Sequence, residues 1–244
     1  MHRVLFQWRG FTIFSYPALL YFGLVAGVVA GNWGAHAIGA NAFRVFIATL
    51  ILIPPSIAGA RLLYVIAHWS EYRNRRARIW DRSEGGMAMY GGLPVMLLLS
   101  IPVLALVDVP FAQFWDAASL TIMTGLVFTK IGCLLNGCCA GRSSQNSMAM
   151  FLPGRRGEWR KRIPVQLLEA GWAALVLMLA IAFIGRLPFD GAVFLIVAAA
   201  YAVGRIMLEA LREHEPGSNL ALGHVVSFVT VLTAVALLLL NWPK

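Results

Sequence analysis

Apolar residues run along this chain in long unbroken blocks, not in the short alternations of a soluble protein. A helix needs about 20 mostly apolar residues to cross about 30 Å of hydrocarbon. Seven stretches come close to that length: 16–33, 43–67, 87–107, 114–135, 165–184, 191–208 and 221–240. They predict an all-α fold, a bundle of about seven transmembrane helices with a polar cavity at one membrane face. The stretches use up most of the 244 residues, so residues 1–244 are read as a single integral membrane domain. The first stretch follows Arg3 and Arg9, a pattern that a cleaved signal peptide also shows. The other six stay in the membrane on either reading. Pro54 and Pro55 predict a bend in the second helix, with Gly59 allowing close packing beyond it.

Composition agrees with this class. Hydrophobic residues make up 59% of the chain and charged residues 13%, against roughly 25% charged in soluble domains. The formal net charge of +9 would suggest nucleic acid in a soluble protein. Here the basic residues sit in loops beside the spans, where they meet anionic lipid head groups, so no nucleic-acid partner is expected. The loop 68–86 holds Arg73, Arg75, Arg76, Arg78 and Arg82, and the loop 140–164 holds Arg142, Arg155, Arg156, Arg160, Lys161 and Arg162. The far face carries only Arg44, Arg186 and Lys244. By the positive-inside rule the basic face would be cytoplasmic. Trp33, Trp69, Trp115, Trp172 and Trp242 fall near span ends and are expected to anchor at the interfaces.

Against this apolar background the ionisable residues stand out, because each costs roughly 2.5–3.5 kcal/mol inside a span. Arg61 is late in the second stretch, Lys130 late in the fourth, Glu169 early in the fifth, and Arg205 and Glu209 late in the sixth, with Arg212 beyond. Late in an even stretch and early in an odd one both mean the face of the basic loops. Tyr90, early in the third stretch, joins them. Arg205, Glu209 and Arg212 share one helix side at i, i+4, i+7. One reading is mutual neutralisation that locks the bundle. The other starts from the imbalance of Arg61, Lys130, Arg205 and Arg212 over Glu169 and Glu209. The excess positive charge asks for an anion, and the planar guanidinium suits phosphate. In a membrane that anion is a phospholipid head group.

Two glycine-rich segments border these charges: S-E-G-G-M-A-M-Y-G-G-L at 83–93 and K-I-G-C-L-L-N-G-C-C-A-G-R at 130–142. Glycines in spans serve close helix approach, or let backbone amides reach a ligand. Beside Glu84, Tyr90 and Asn136, the pairs are read as a binding loop. Cys133, Cys138 and Cys139 form no disulfide framework. C-x4-C-C without a neighbouring histidine is a poor zinc pattern. Free packed thiols are the simplest reading, a redox pair the alternative, and no metal or cofactor is expected. His2, His36, His68, His214 and His224 are scattered and form no cluster.

Five segments, in order, resemble the bacterial prolipoprotein diacylglyceryl transferases over nearly the whole chain: G-A-R-L-L-Y at 59–64, E-G-G-M-A-M-Y-G-G-L at 84–93, the segment 130–142, I-P-V-Q-L-L-E at 163–169 and G-R-I-M-L-E-A-L-R-E at 204–213. The resemblance implies an inner-membrane transferase that moves the diacylglyceryl unit of phosphatidylglycerol onto the lipobox cysteine thiol of a secreted prolipoprotein and releases glycerol phosphate. It implies a site open to the periplasm, against the basic-loop rule. In that light Arg205, Lys130, Tyr90 and Glu209 are the candidate catalytic residues. Arg61 and Arg205 hold the phosphate, Lys130 adds charge near the leaving oxygen, and Glu209 orients Arg205. Tyr90 and Asn136 position the acceptor. Tyr64, Glu84, Gly91, Gly92, Gly137, Gly141, Arg142, Glu169 and Arg212 complete the candidate substrate site. The chain departs from the family pattern at Tyr90 (usually histidine), Lys130 (usually arginine) and Cys133 (usually asparagine). The rival readings are a paralogue with another acceptor or lipid group, a non-catalytic lipid-binding or transport protein, and a thiol oxidoreductase.

Overall fold

The computed structural model describes residues 4–8, 11–73, 79, 89–154, 158–213 and 220–243. An antiparallel hairpin of β1 (Val4–Trp8) and β2 (Phe11–Phe14) leads into α1 (Ser15–Ala37) and α2 (Ala42–Ala67). A short α3 (Trp69–Tyr72) precedes α4 (Met89–Val107) and α5 (Phe111–Asn136). A second hairpin, β3 (Met150–Pro153) with β4 (Trp159–Arg162), leads to α6 (Val165–Phe183), α7 (Ala192–Glu209) and α8 (Leu220–Asn241). Each predicted stretch is therefore a helix. Among the described residues, six helices are long and apolar enough to cross a membrane, while the apolar part of α4, Gly91–Val107, is shorter. The fold is that of a polytopic helical membrane protein. The helix α2 continues through Pro54 and Pro55.

Lipid removes the hydrophobic drive for helices to associate, so close van der Waals contact has to do that work. The helix α1 shows how. Its buried positions are Gly23, Gly27, Gly31 and Gly34 with Ser15 and Ala35, while Tyr21, Phe22, Val25, Val29 and Trp33 face outward. The glycine stripe lies against α5 running in the opposite direction. A Cβ on Gly23 would come within 2.8 Å of Phe128 Cβ, and one on Gly27 within 2.6 Å of the Thr121 carbonyl oxygen. Backbone cannot step aside as a flexible side chain can, so Gly27→Val should cost about 1–3 kcal/mol through overpacking. Thermal unfolding in detergent should show a lowered Tm for Gly27→Val and an unchanged one for the outward-facing Val29→Leu. An unchanged Tm in both would contradict the packing assignment.

The same device joins α2 to α4. A Cβ on Gly59 would meet Val95 and lie 2.8 Å from the Gly91 carbonyl, and one on Gly92 would lie 2.9 Å from the Ser56 carbonyl. Gly91 and Gly92, expected in a binding loop, thus lie inside α4 and serve helix contact. Two tryptophans also correct the interfacial reading. Trp115 is buried and donates Nε1–H to Ser100 Oγ at 3.1 Å, and Trp172 donates to the Ala200 carbonyl at 3.0 Å across Gly204. An indole inside apolar protein needs such an acceptor. At the far end, buried Asp116 accepts from the Gly191 and Phe194 amides at 2.7 and 2.8 Å, satisfying donors at the start of α7. The sequence reading overlooked this intramembrane carboxylate.

Candidate functional site

The C-terminal ends of α5 and α7 and the N-terminal end of α6 meet at one end of the bundle, and backbone hydrogen bonds tie their loops together. Gly137 closes α5 in the left-handed region at φ +76°, and its amide and that of Cys138 bond back to the Leu134 and Cys133 carbonyls. A glycine accepts that conformation without the Cβ penalty. The chain reverses there, and the Gly141 amide bonds to Ile163 O at 2.9 Å and the Arg142 amide to Leu211 O at 3.0 Å. A Cβ on Gly141 would lie 2.6 Å from that Leu211 oxygen and 2.8 Å from the Ile163 oxygen, so only glycine fits between the two strands of chain. Gln166, fully buried, donates Nε2–H to the Cys138 carbonyl at 2.6 Å.

Charged side chains gather in this frame. Glu169, on the second turn of α6, is the centre. Its Oε2 lies 2.8 Å from Lys130 Nζ, and its Oε1 lies 2.9 Å from Arg205 Nη1 and 3.3 Å from Arg212 Nη2. Glu209 pairs with Arg205 Nη2 one turn back along α7, and its Oε2 lies 3.9 Å from Arg212 Nη1. The Glu169 side chain is 5% exposed and those of Lys130 and Arg205 are 14% and 13%. Three cations therefore share two carboxylates in a half-dry setting. The four-to-two imbalance of the sequence becomes three-to-two within this cluster. The remaining charge of +1 is still uncompensated by the five side chains.

Arg61 has surroundings of its own. It is buried on α2, donates Nε–H to the Ile79 carbonyl at 2.8 Å, and its guanidinium carbon lies 5.8 Å from the Tyr64 ring centre and 5.5 Å from that of Tyr72. These distances suit cation–π attraction. Tyr64 in turn stacks on His68, ring centres 4.2 Å apart. Asn136 closes the last turn of α5 with its side chain hydrogen-bonded to Cys138, and Arg142 is exposed. Tyr90 is described only through the backbone of α4. Glu84, Arg75, Arg76, Arg78, Arg82, Arg155, Arg156, His2, His214 and Lys244 lie outside the described residues.

Two further groups went unnoticed in the sequence. Arg162, 2% exposed, binds Glu158 at 2.6 Å and Glu213 at 2.8 Å and reaches the Gly141 carbonyl at 3.4 Å. It looked like one more loop cation, yet it clamps the β3–β4 hairpin to the end of α7. His224 and Ser227 of α8 lie beside Arg205 and Glu209 around a cleft too narrow to hold a water molecule. The rule that placed Glu169 would have found His224, since early in the seventh stretch is the same face.

The cysteines border the cluster. Their three sulfur atoms lie within 4.8 Å of one another; Cys133 is buried and Cys139 exposed. The neighbouring Cys133 and Cys138 thiols, helped by the Lys130 and Arg212 charges, hold the Cys139 thiol well below its ordinary pKa, and the Cys138 thiol donates to the Cys133 carbonyl at 3.6 Å.

Fold and site together define a multi-pass helical membrane protein with a cationic, carboxylate-bridged centre at one end of its bundle. The chain belongs to the prolipoprotein diacylglyceryl transferase family, whose sequence profile matches residues 3–240. It is similar to the phosphatidylglycerol–prolipoprotein diacylglyceryl transferase of Clostridium kluyveri, 25% identical over 97% of this chain and 95% of the relative. The enzymes of the same name from Clostridioides difficile and Nostoc sp. are 24% and 26% identical, covering 96% and 93% of this chain and 93% and 83% of the relatives. The five segments that carried the resemblance lie inside the matched region.

Proposed function

We propose that this protein transfers the diacylglyceryl group of phosphatidylglycerol to the cysteine thiol of a prolipoprotein. The thiolate sulfur forms a bond to the terminal glycerol carbon of the lipid as the carbon–oxygen bond to phosphate breaks. Glycerol phosphate leaves with the electron pair, and the thiol proton passes to a nearby acceptor. Negative charge grows on the departing phosphate, so catalysis calls for fixed cations where water is excluded. The observation that carries this reading is the convergence of Lys130, Arg205 and Arg212 on Glu169, with more positive than negative charge among partly buried side chains.

In this reading Arg205 and Arg212 supply planar forks for the phosphate oxygens, and Lys130 adds a point charge. Glu169 and Glu209 hold the three cations in place while the site is empty of lipid. Arg61 binds the head group from α2, flanked by Tyr64. Tyr90, Asn136 and Gly137 line the approach of the acceptor, and Gly141 and Arg142 belong to the loop that positions it. The protein acts in the bacterial inner membrane with this end toward the periplasm, where secreted acceptors arrive. The basic loops there serve anionic lipid, which releases them from the topology rule.

The test is direct. Purified protein is incubated with labelled phosphatidylglycerol and a lipobox peptide, and the peptide is weighed. A gain of one diacylglyceryl mass with matching release of glycerol phosphate is expected. Lipid consumed without a gain on the peptide would move the acceptor elsewhere. An assay in which no lipid is lost and no peptide gains mass would overturn the transferase reading.

A further inference from the structure

We propose that Cys133, Cys138 and Cys139 form a three-thiolate site for a zinc-like divalent ion, with its fourth position open to the acceptor thiol. The spacing C-x4-C-C looks wrong for a metal on a continuous helix. The chain, however, turns back at Gly137 in the left-handed region, and Cys139 follows at φ +62°. The reversal brings the two following cysteines back over the last turn of α5, where Cys133 sits. The three sulfurs then lie within 4.8 Å of one another. Zinc–sulfur bonds of about 2.3 Å in a tetrahedron need sulfurs slightly under about 4 Å apart. Modest rotation of the cysteine side chains covers the difference.

Three further observations support a metal over a disulfide. Disulfide pairing uses two sulfurs and leaves the third unexplained, whereas all three converge here. The backbone behind the sulfurs is braced, with the Gln166 amide on the Cys138 carbonyl and Asn136 on the Cys138 side chain. Charge also fits: three thiolates around a divalent ion carry one net negative charge, and the cation Lys130 stands one turn before Cys133 on α5. Soft thiolate donors select zinc-like ions over magnesium or calcium.

The arrangement is closed on one side by buried Cys133 and open on the other at exposed Cys139. Three protein ligands with an open fourth position are the pattern of reactive zinc sites, whereas structural ones use four. Loading the ion forms three metal–sulfur bonds and releases the protons of those thiols that still carry one, with no change of oxidation state. An acceptor thiol that takes the fourth position loses its proton and becomes a bound thiolate, the nucleophilic form. This last role rests on the transferase reading; the metal site does not.

The experiment uses the full chain in detergent, reduced and stripped of metal, titrated with cobalt(II). One equivalent of cobalt should produce a sulfur-to-cobalt charge-transfer band, which zinc then bleaches. Cys133→Ser, Cys138→Ser and Cys139→Ser should each weaken cobalt binding by more than about tenfold, the smallest loss typical of removing even a group that only supports a ligand, while Tm in the stripped state stays at the wild-type value. Absence of the band, a band unchanged in all three variants, or a Cys138–Cys139 or Cys133–Cys139 disulfide in the freshly purified protein would overturn the site. A lipobox peptide should then shift the cobalt band, and its Cys→Ser version should not. A band that ignores the peptide would overturn the open-position role and leave the metal site standing. Neither readout depends on lipid turnover.

Discussion

Arg205→Ala should lower transfer by about 10²–10³-fold, the loss seen when one pre-set donor to a developing oxyanion is removed. Arg205 bridges Glu169 at 2.9 Å and Glu209 through its two terminal nitrogens. Both carboxylates are thereby used to aim one fork. Removing it takes away a phosphate donor and leaves Lys130 and Arg212 against Glu169 and Glu209, a cluster without excess charge. Arg205→Lys keeps the charge but loses the paired geometry, so its activity should fall between the two. Release of glycerol phosphate from labelled lipid measures both variants, and thermal unfolding in detergent checks that they are folded. Full activity in Arg205→Ala would remove this residue from the site.

Glu169→Gln should have the largest effect on stability. A single carboxylate with 5% exposure faces Lys130, Arg205 and Arg212 within 3.3 Å. Taking away one partner of a buried ion pair costs about 3–5 kcal/mol, because the opposite charge stays buried without compensation. Here three cations lose a shared anion at once. Tm in detergent should fall clearly further for Glu169→Gln than for Glu209→Gln, whose carboxylate touches two cations, one of them at 3.9 Å. The empty anion position should also be filled by lipid. Phosphatidylglycerol, but not phosphatidylcholine, should raise the Tm of Glu169→Gln by more than that of the wild type. Equal gains with both lipids would mean that the cluster does not receive the anionic head group.

The helices were largely legible in advance. Every apolar stretch became a helix, with ends within a few residues, because in lipid the backbone must satisfy its own hydrogen bonds and a long apolar run has almost no alternative. The common face of Lys130, Glu169, Arg205, Glu209 and Arg212 was legible too, since successive spans reverse direction and position along a stretch is also depth. What failed was the meaning of residues whose role is set by a neighbour. Gly91 and Gly92 read as a ligand loop until α2 was seen against them, and Trp115 and Trp172 read as interfacial until Ser100 and the Ala200 carbonyl appeared as their partners. Arg162 was one basic loop residue among many, although it alone is clamped by Glu158 and Glu213 among the described cations of its loop.

The amino-acid order thus determined the solvent, the seven long helices, their alternation and the end at which charge collects. All of these follow from local composition and from the length of a bilayer crossing. Only the tertiary structure decided that one glutamate would stand among three cations, that the glycines of α1 would let α5 come close, and that a turn at Gly137 would carry three sulfurs to one point. The physical reason is range. Burial in lipid acts on each segment by itself, whereas an ion pair, a glycine contact or a ligand set exists only once segments far apart in sequence are held within a few ångströms.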